Sequence, residues 1–355
     1  MKITVLAGGV GGARFARGVR EEAARRWPGA PGAEPAADGT APTSAEITVV
    51  VNTGDDLWLS GVRLMPDFDS LLYALAGVND TERGWGRAGE SERVAAELRE
   101  WGVGWPWFTL GDLDLGTHLA RTSWLRDGLT PSQVAERLQR RWRLGVHLVP
   151  ATDSEVDTHV RVDPAHPDAA GRDELHFQEW WTRYRASIPA LGFEQRNLAD
   201  ARPAPGVDAA IADADVVLLA PSNPVVSIGT ILAVPGIRAA LAATTAPVVG
   251  VSPIIGGRVV RGMADACLSA IGVRTDAAAV ARHYGTRATG GVLDAWLVDE
   301  TDAATVPGLV GDGFAAASAP LWMHDLDTSA ALAGAALDLA ADAAAGPASA
   351  PARRT

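Results

Sequence analysis

The chain reads as an α/β protein, a Rossmann-like parallel sheet with an inserted smaller α+β subdomain. The prediction rests first on an apolar run, Ile3-Thr4-Val5-Leu6-Ala7. It breaks into Gly8-Gly9-Val10-Gly11-Gly12-Ala13-Arg14, and a helical pattern follows in which Phe15, Val19 and Ala23 keep i, i+4 spacing. Next, a further apolar run, Ile47 to Val51, breaks into the acidic loop Asn52-Thr53-Gly54-Asp55-Asp56. Finally, the same alternation returns after Val207, with apolar runs at Ala214–Ala220, Pro247–Val251 and Leu293–Val298. The order is βαβ, an insertion, then βαβαβ, and short right-handed connections turn that order into a parallel sheet.

Length and composition set the outer bounds. The chain has 355 residues, enough for one large domain or two, and its hydrophobic share of 47% is ordinary for a globular protein. A net charge of −12 argues against a nucleic-acid partner. The single cysteine, Cys267, allows no internal disulfide and suits a reducing cytoplasm. No leader segment and no long apolar span is read, so a membrane role is not expected.

Taken in order, residues 28–45 are rich in Pro, Ala and Gly and are expected to form a disordered surface loop. Helices are expected from Ser70 and from Ser91, the latter with a capping box, and from Pro131 to Trp142. Short strands are expected at His147–Pro150, Asp157–Val162 and Glu174–Phe177. This divides the chain into a nucleotide-binding core, 1–61 and 201–335, and an inserted substrate subdomain, 62–200. Residues 340–355 are expected to be a flexible tail.

The candidate chemistry sits after the strand ends. Glycines let backbone N–H groups approach an anion closely, and the helix behind them aims its positive end at the same place. Gly8 to Gly12 is therefore a candidate phosphate cradle, although Arg14 stands where a dinucleotide fingerprint needs its third glycine. Asp55, Asp56, Asp67 and Asp69 follow the second strand. Several carboxylates beside a phosphate need a hard cation between them, and Mg²⁺ is the usual one. Asp112 and Asp114, with His118 four residues beyond, are a further candidate cluster; each is equally readable as a turn former or a structural histidine. Pro221-Ser222-Asn223-Pro224, Ser227 and Ser252-Pro253 place polar groups past later strands.

The ordered set of motifs resembles the 2-phospho-L-lactate transferase family of deazaflavin coenzyme biosynthesis, CofD or FbiA. The resemblance is carried by Gly8-Gly9-Val10-Gly11-Gly12, Val51 to Gly61, Pro66-Asp67-Phe68-Asp69 and Leu110-Gly111-Asp112-Leu113-Asp114. His176-Phe177-Gln178-Glu179, Pro221 to Gly229 and Ser252 to Gly257 complete it. Thr109 departs from the lysine of archaeal members. The family implies transfer of a phosphoenolpyruvyl or 2-phospho-L-lactyl group from a guanosine diphosphate diester to the terminal hydroxyl of the deazaflavin Fo, with release of GMP. A high-GC bacterial type using the enolpyruvyl donor is implied by the codon bias. Gly8, Gly9, Gly11, Gly12, Ser222, Asn223 and Ser227 are then nucleotide contacts. Asn52, Thr53, Asp69, Thr109, Asp112, Asp114 and His118 are further substrate contacts. Asp55, Asp56, Asp67 and Asp69 hold Mg²⁺, and the base is drawn from Asp69, Asp67 and Asp56. A cytoplasmic homodimer is implied as well. The alternative is a relative of this family that binds a nucleotide sugar and regulates without catalysis.

Overall fold

A computed structural model describes residues 1–345. A seven-stranded, all-parallel sheet forms its centre. Its strands are β1 (Lys2–Ala7), β2 (Glu46–Val51), β3 (His147–Pro150), β4 (Val216–Leu219), β5 (Val248–Val251), β6 (Ala295–Asp299) and β7 (Ala315–Ala319). They lie in the order β7-β6-β5-β4-β1-β2-β3. Strand order reverses between β1 and β4, and in open sheets of this type ligands bind outside the carboxyl ends of the strands at that crevice.

Side-chain alternation feeds two cores. Ile3, Val5, Val49 and Val51 face the layer holding α1 (Gly9–Arg26), α2 (Pro66–Ala76) and the C-terminal helix Leu326–Ala345. Leu6, Val50, Val217 and Leu219 face the opposite layer with Ile228, Ile231 and Ile237. Period-two alternation puts successive residues on opposite faces, so one strand seals both layers.

The insertion is smaller than expected. The span 62–200, expected as one inserted subdomain, is divided: β3 pairs in parallel with β2 and closes the edge of the main sheet. Helix α2 packs on α1. A short apolar run does not say which sheet it joins; pairing with β2 decides that. The separate part is an antiparallel sheet with Thr158–Val162 between Glu174–His176 and Ala190–Gln195. Ala190–Gln195 is a strand that the sequence pattern does not announce.

Residues 28–45 are a further correction. Asp38 binds the buried Arg20, which also donates to the carbonyls of Leu75 (2.9 Å) and Leu144 (2.5 Å). Thr43 donates to the Trp27 carbonyl at 2.7 Å, and Ala36 is buried. Few apolar residues were visible there, but one buried ion pair anchors the loop. The helix expected from Ser91 starts at Arg93 and is capped by Asp112, whose carboxylate accepts from Ser91 Oγ at 2.6 Å and from the amides of Arg93 and Val94. Of the expected tail, residues 340–345 continue the last helix, with Ala340 buried; 346–355 lie outside the described residues.

Candidate active site at the sheet switch point

A cavity of about 690 Å³ opens at the carboxyl ends of β1 and β4. Gly8 follows β1 directly and α1 begins at Gly9, so the expected glycine loop is mostly the first turn of a helix. Gly8 exchanges hydrogen bonds with Ser222: its N–H donates to Oγ at 3.1 Å, and the Ser222 hydroxyl donates back to its carbonyl at 2.7 Å. A Cβ on Gly8 would collide with the Asp67 carboxylate and Ser227. Gly9 has φ +63°, a conformation glycine adopts without strain, and its N–H donates to Asp67. Two amides of the expected cradle are therefore already engaged. Val10 and Gly11 line the cavity, and first-turn amides have no intrahelical partner. Gly12 lies behind the wall, packed on Ser222 and Ala7.

Helix α2 supplies the acidic centre. Pro66 sits at its first position and Asp67 and Asp69 in its first turn, where the helix dipole favours negative charge. Asn52 is fully buried and ties the neighbouring carboxylates together. Its amide nitrogen donates to Asp67 at 2.9 Å, Asp55 at 3.3 Å and the Val226 carbonyl at 3.2 Å. Burial pushes the Asp67 carboxyl up to about 6. Burial, then the charges of Asp67 and Asp56, raise Asp55 well above the usual carboxylate range. Neither has a basic partner among the described residues.

A second cluster faces it. Asp114, His118 and Arg121 share one face of the helix Asp112–Arg126. Arg121 is fully buried; it binds Asp69 and reaches His118 Nδ1 at 2.9 Å and the Arg63 carbonyl at 3.1 Å. An arginine is always a donor, so Nδ1 accepts and Nε2 carries the proton, facing Asp114 at 3.4 Å. Asp114 also accepts from the Tyr73 hydroxyl at 2.7 Å. Ligand atoms of Asp69, Asp114 and His118 lie within 4.8 Å of one another, the spacing of a candidate metal site. Burial raises Asp69, and Arg121 and His118 oppose that. Asp69 Oδ2 is buried without a hydrogen-bond partner.

Of the expected site residues, Gly8, Gly9, Gly11, Asp55, Asp67, Asp69, Thr109, Asp114, His118, Ser222, Asn223 and Ser227 line the cavity. The others do not. Asn52 and Thr53 are buried behind it. Asp56 pairs with Arg63 at 3.7 Å, and Asp112 is a helix cap. Sequence reasoning missed Arg121 and Tyr73. The spacing Asp114, His118, Arg121 (i, i+4, i+7) was the available signal for the arginine. Trp107, Phe108, Phe177 and Trp181 add aromatic rings to the lining.

Residues 3–326 match the family described as 2-phospho-L-lactate transferase CofD. The chain belongs to that family. It is 51% identical over 340 residues to a phosphoenolpyruvate transferase of Nocardia farcinica, covering 96% of this chain and 95% of that one. A phosphoenolpyruvate transferase of Thermobifida fusca is 52% identical over 340 residues, covering 96% and 98%. A solved UPF0052-family protein of Bacillus halodurans shares the fold at a TM-score of 0.57 and 18% identity, covering 95% of this chain and 99% of its own. This CofD-family chain is a transferase enzyme of the phosphoenolpyruvyl or lactyl type. No helix among the described residues is long and apolar enough to cross a membrane.

Proposed function

We propose that the protein acts in coenzyme F-420 biosynthesis, moving a phosphoenolpyruvyl group, or the 2-phospho-L-lactyl group, from a guanosine diphosphate diester to the terminal hydroxyl of Fo, with GMP as leaving group. The observation that carries this reading is the lining of one cavity. It gathers helix-terminal amides with Ser222 and Asn223, several aromatic rings and four carboxylates. The amides and hydroxyl suit a diphosphate, the rings a flat deazaflavin.

Mg²⁺ fits this donor set. The cavity is lined by four aspartates, Asp55, Asp67, Asp69 and Asp114, and the donor adds further negative charge. Asp55 and Asp67 are the carboxylates without a basic partner, and a hard cation would offset the negative charge that burial disfavours there. The Asp69–Asp114–His118 cluster fits less well, because Arg121 already supplies its cation and His118 Nε2 offers a proton. Bound Mg²⁺ supplies charge neutralisation for the diphosphate. Asp55 and Asp67 would hold the ion, and Asn52 orients both carboxylates by donating to each. Asp69, steadied by Arg121, takes the proton of the attacking hydroxyl on its carboxylate while the new O–P bond forms and the bridging P–O bond to GMP breaks.

A homodimer in the cytoplasm belongs to the same reading; the lone buried Cys267 suits a reducing compartment. Incubation with Fo, Mg²⁺ and each guanylylated donor, read by product mass and GMP release, tests the reaction. The enolpyruvyl product is expected. Absence of product with both donors overturns the reading.

A further inference from the structure

Two arginines line the cavity, Arg14 and Arg261. Neither forms an ion pair among the described residues, although four aspartates line the same cavity. Arginines held away from nearby carboxylates and facing a cavity are disposed toward an incoming anion. Their positions differ. Arg14 lies in α1, near the helix terminus assigned to the diphosphate, and NH1 donates to the Met323 carbonyl at 3.0 Å. Arg261 lies on the loop after β5, beside Gly262, whose added Cβ would sit 3.4 Å from the Trp181 ring. The chain at Arg261 thus runs close to the Trp181 ring, which also lines the cavity.

Its guanidinium rests against Gly84, at φ +77°, and a Cβ there would collide with it. The segment that carries Gly84 also supplies Trp85 and Gly86 to the cavity. Loops from separate parts of the chain therefore meet at Arg261 in the cavity lining.

Resting on the reaction proposed above, we propose that Arg261 is a specificity-determining residue that binds the carboxylate of the three-carbon acid being transferred. The donor carries a diphosphate and a carboxylate, and Arg14 serves the phosphate end. A guanidinium matches a carboxylate with paired N–H donors, which an ammonium or amide does not reproduce.

The test is equilibrium binding with Mg²⁺ and without Fo, comparing GDP with the lactyl-guanosine diphosphate diester. Arg261→Gln is expected to weaken the diester by on the order of 10- to 100-fold, the loss of a charge-assisted hydrogen-bond pair, and GDP by less than about twofold. Arg14→Gln is expected to weaken both ligands alike. Equal loss of GDP and diester in Arg261→Gln assigns that arginine to phosphate and overturns the proposal. Unchanged binding of both overturns it too. Because Fo is absent, failure of wild-type turnover sinks the reaction while this comparison still decides the arginine.

Discussion

Asp69→Asn separates chemistry from folding at this site. The substitution keeps the size of the side chain and one acceptor oxygen, but it removes the charge that faces Arg121, which is fully buried. Breaking a buried pair by removing one partner costs about 3–5 kcal/mol. Arg121 keeps hydrogen bonds to the Arg63 carbonyl and His118, and the new amide oxygen still accepts, so the low end, about 3 kcal/mol, applies here. Unfolding entropy of about 2.1 cal/mol/K per residue gives roughly 0.7 kcal/mol/K for a chain of this length, so Tm falls by about 4 °C. Turnover falls separately, by about 10²–10⁴-fold, because the amide cannot take the hydroxyl proton. The assay is thermal denaturation together with turnover of Fo across a Mg²⁺ titration. Asp127→Asn, an exposed helix-end position, is the control and behaves as wild type. The double variant Asp69→Asn/Arg121→Met removes both charges and is expected to recover most of the Tm but none of the turnover. An Asp69→Asn protein with wild-type Tm and turnover would refute both the buried-pair argument and the assignment of the base.

Asp67→Asn is expected to abolish turnover yet raise the Tm of metal-free protein at pH 8. The folded-state carboxyl titrates at about 6, above its unfolded value, so folded protein binds the extra proton and its stability declines as pH rises from about 4 to about 6. The gain is therefore present at pH 8 and gone near pH 4, and a Tm gain independent of pH would contradict it. Asp38→Ala leaves Arg20 buried without its main counter-charge and should cost about 3 kcal/mol or more, read as a lowered denaturation midpoint. An unchanged midpoint would mean that the 28–45 loop is only draped over the surface. GDP should bind more tightly than NAD in calorimetric titration, because Arg14 replaces the third fingerprint glycine and Ser222 closes the Gly8 turn; tighter NAD binding would sink the nucleotide assignment.

Much of the frame was legible in the sequence because its signals are local. The run Ile3–Ala7 ending in glycine, the run Ile47–Val51 ending in Asn52 and the run ending at Ala220 each announce a buried strand with a polar loop at its carboxyl end. A parallel sheet brings those loops to one edge, so the strand pattern alone makes Gly8, Asp55 and Ser222 neighbours. What only the tertiary structure decided was how charges pair. Asp56 and Asp69 look alike in sequence, yet one faces Arg63 behind the wall and the other faces the cavity with Arg121. Asp112 and Asp114 sit two residues apart, but Asp112 caps a neighbouring helix while Asp114, on the buried side, joins Tyr73 and His118. The 28–45 loop carried almost no apolar signal, and its order comes from Asp38 meeting an arginine buried in α1. Backbone elements follow from short-range pattern. The role of an ionisable side chain follows from which distant charge shares its low-dielectric surroundings, and no local window of sequence contains that partner.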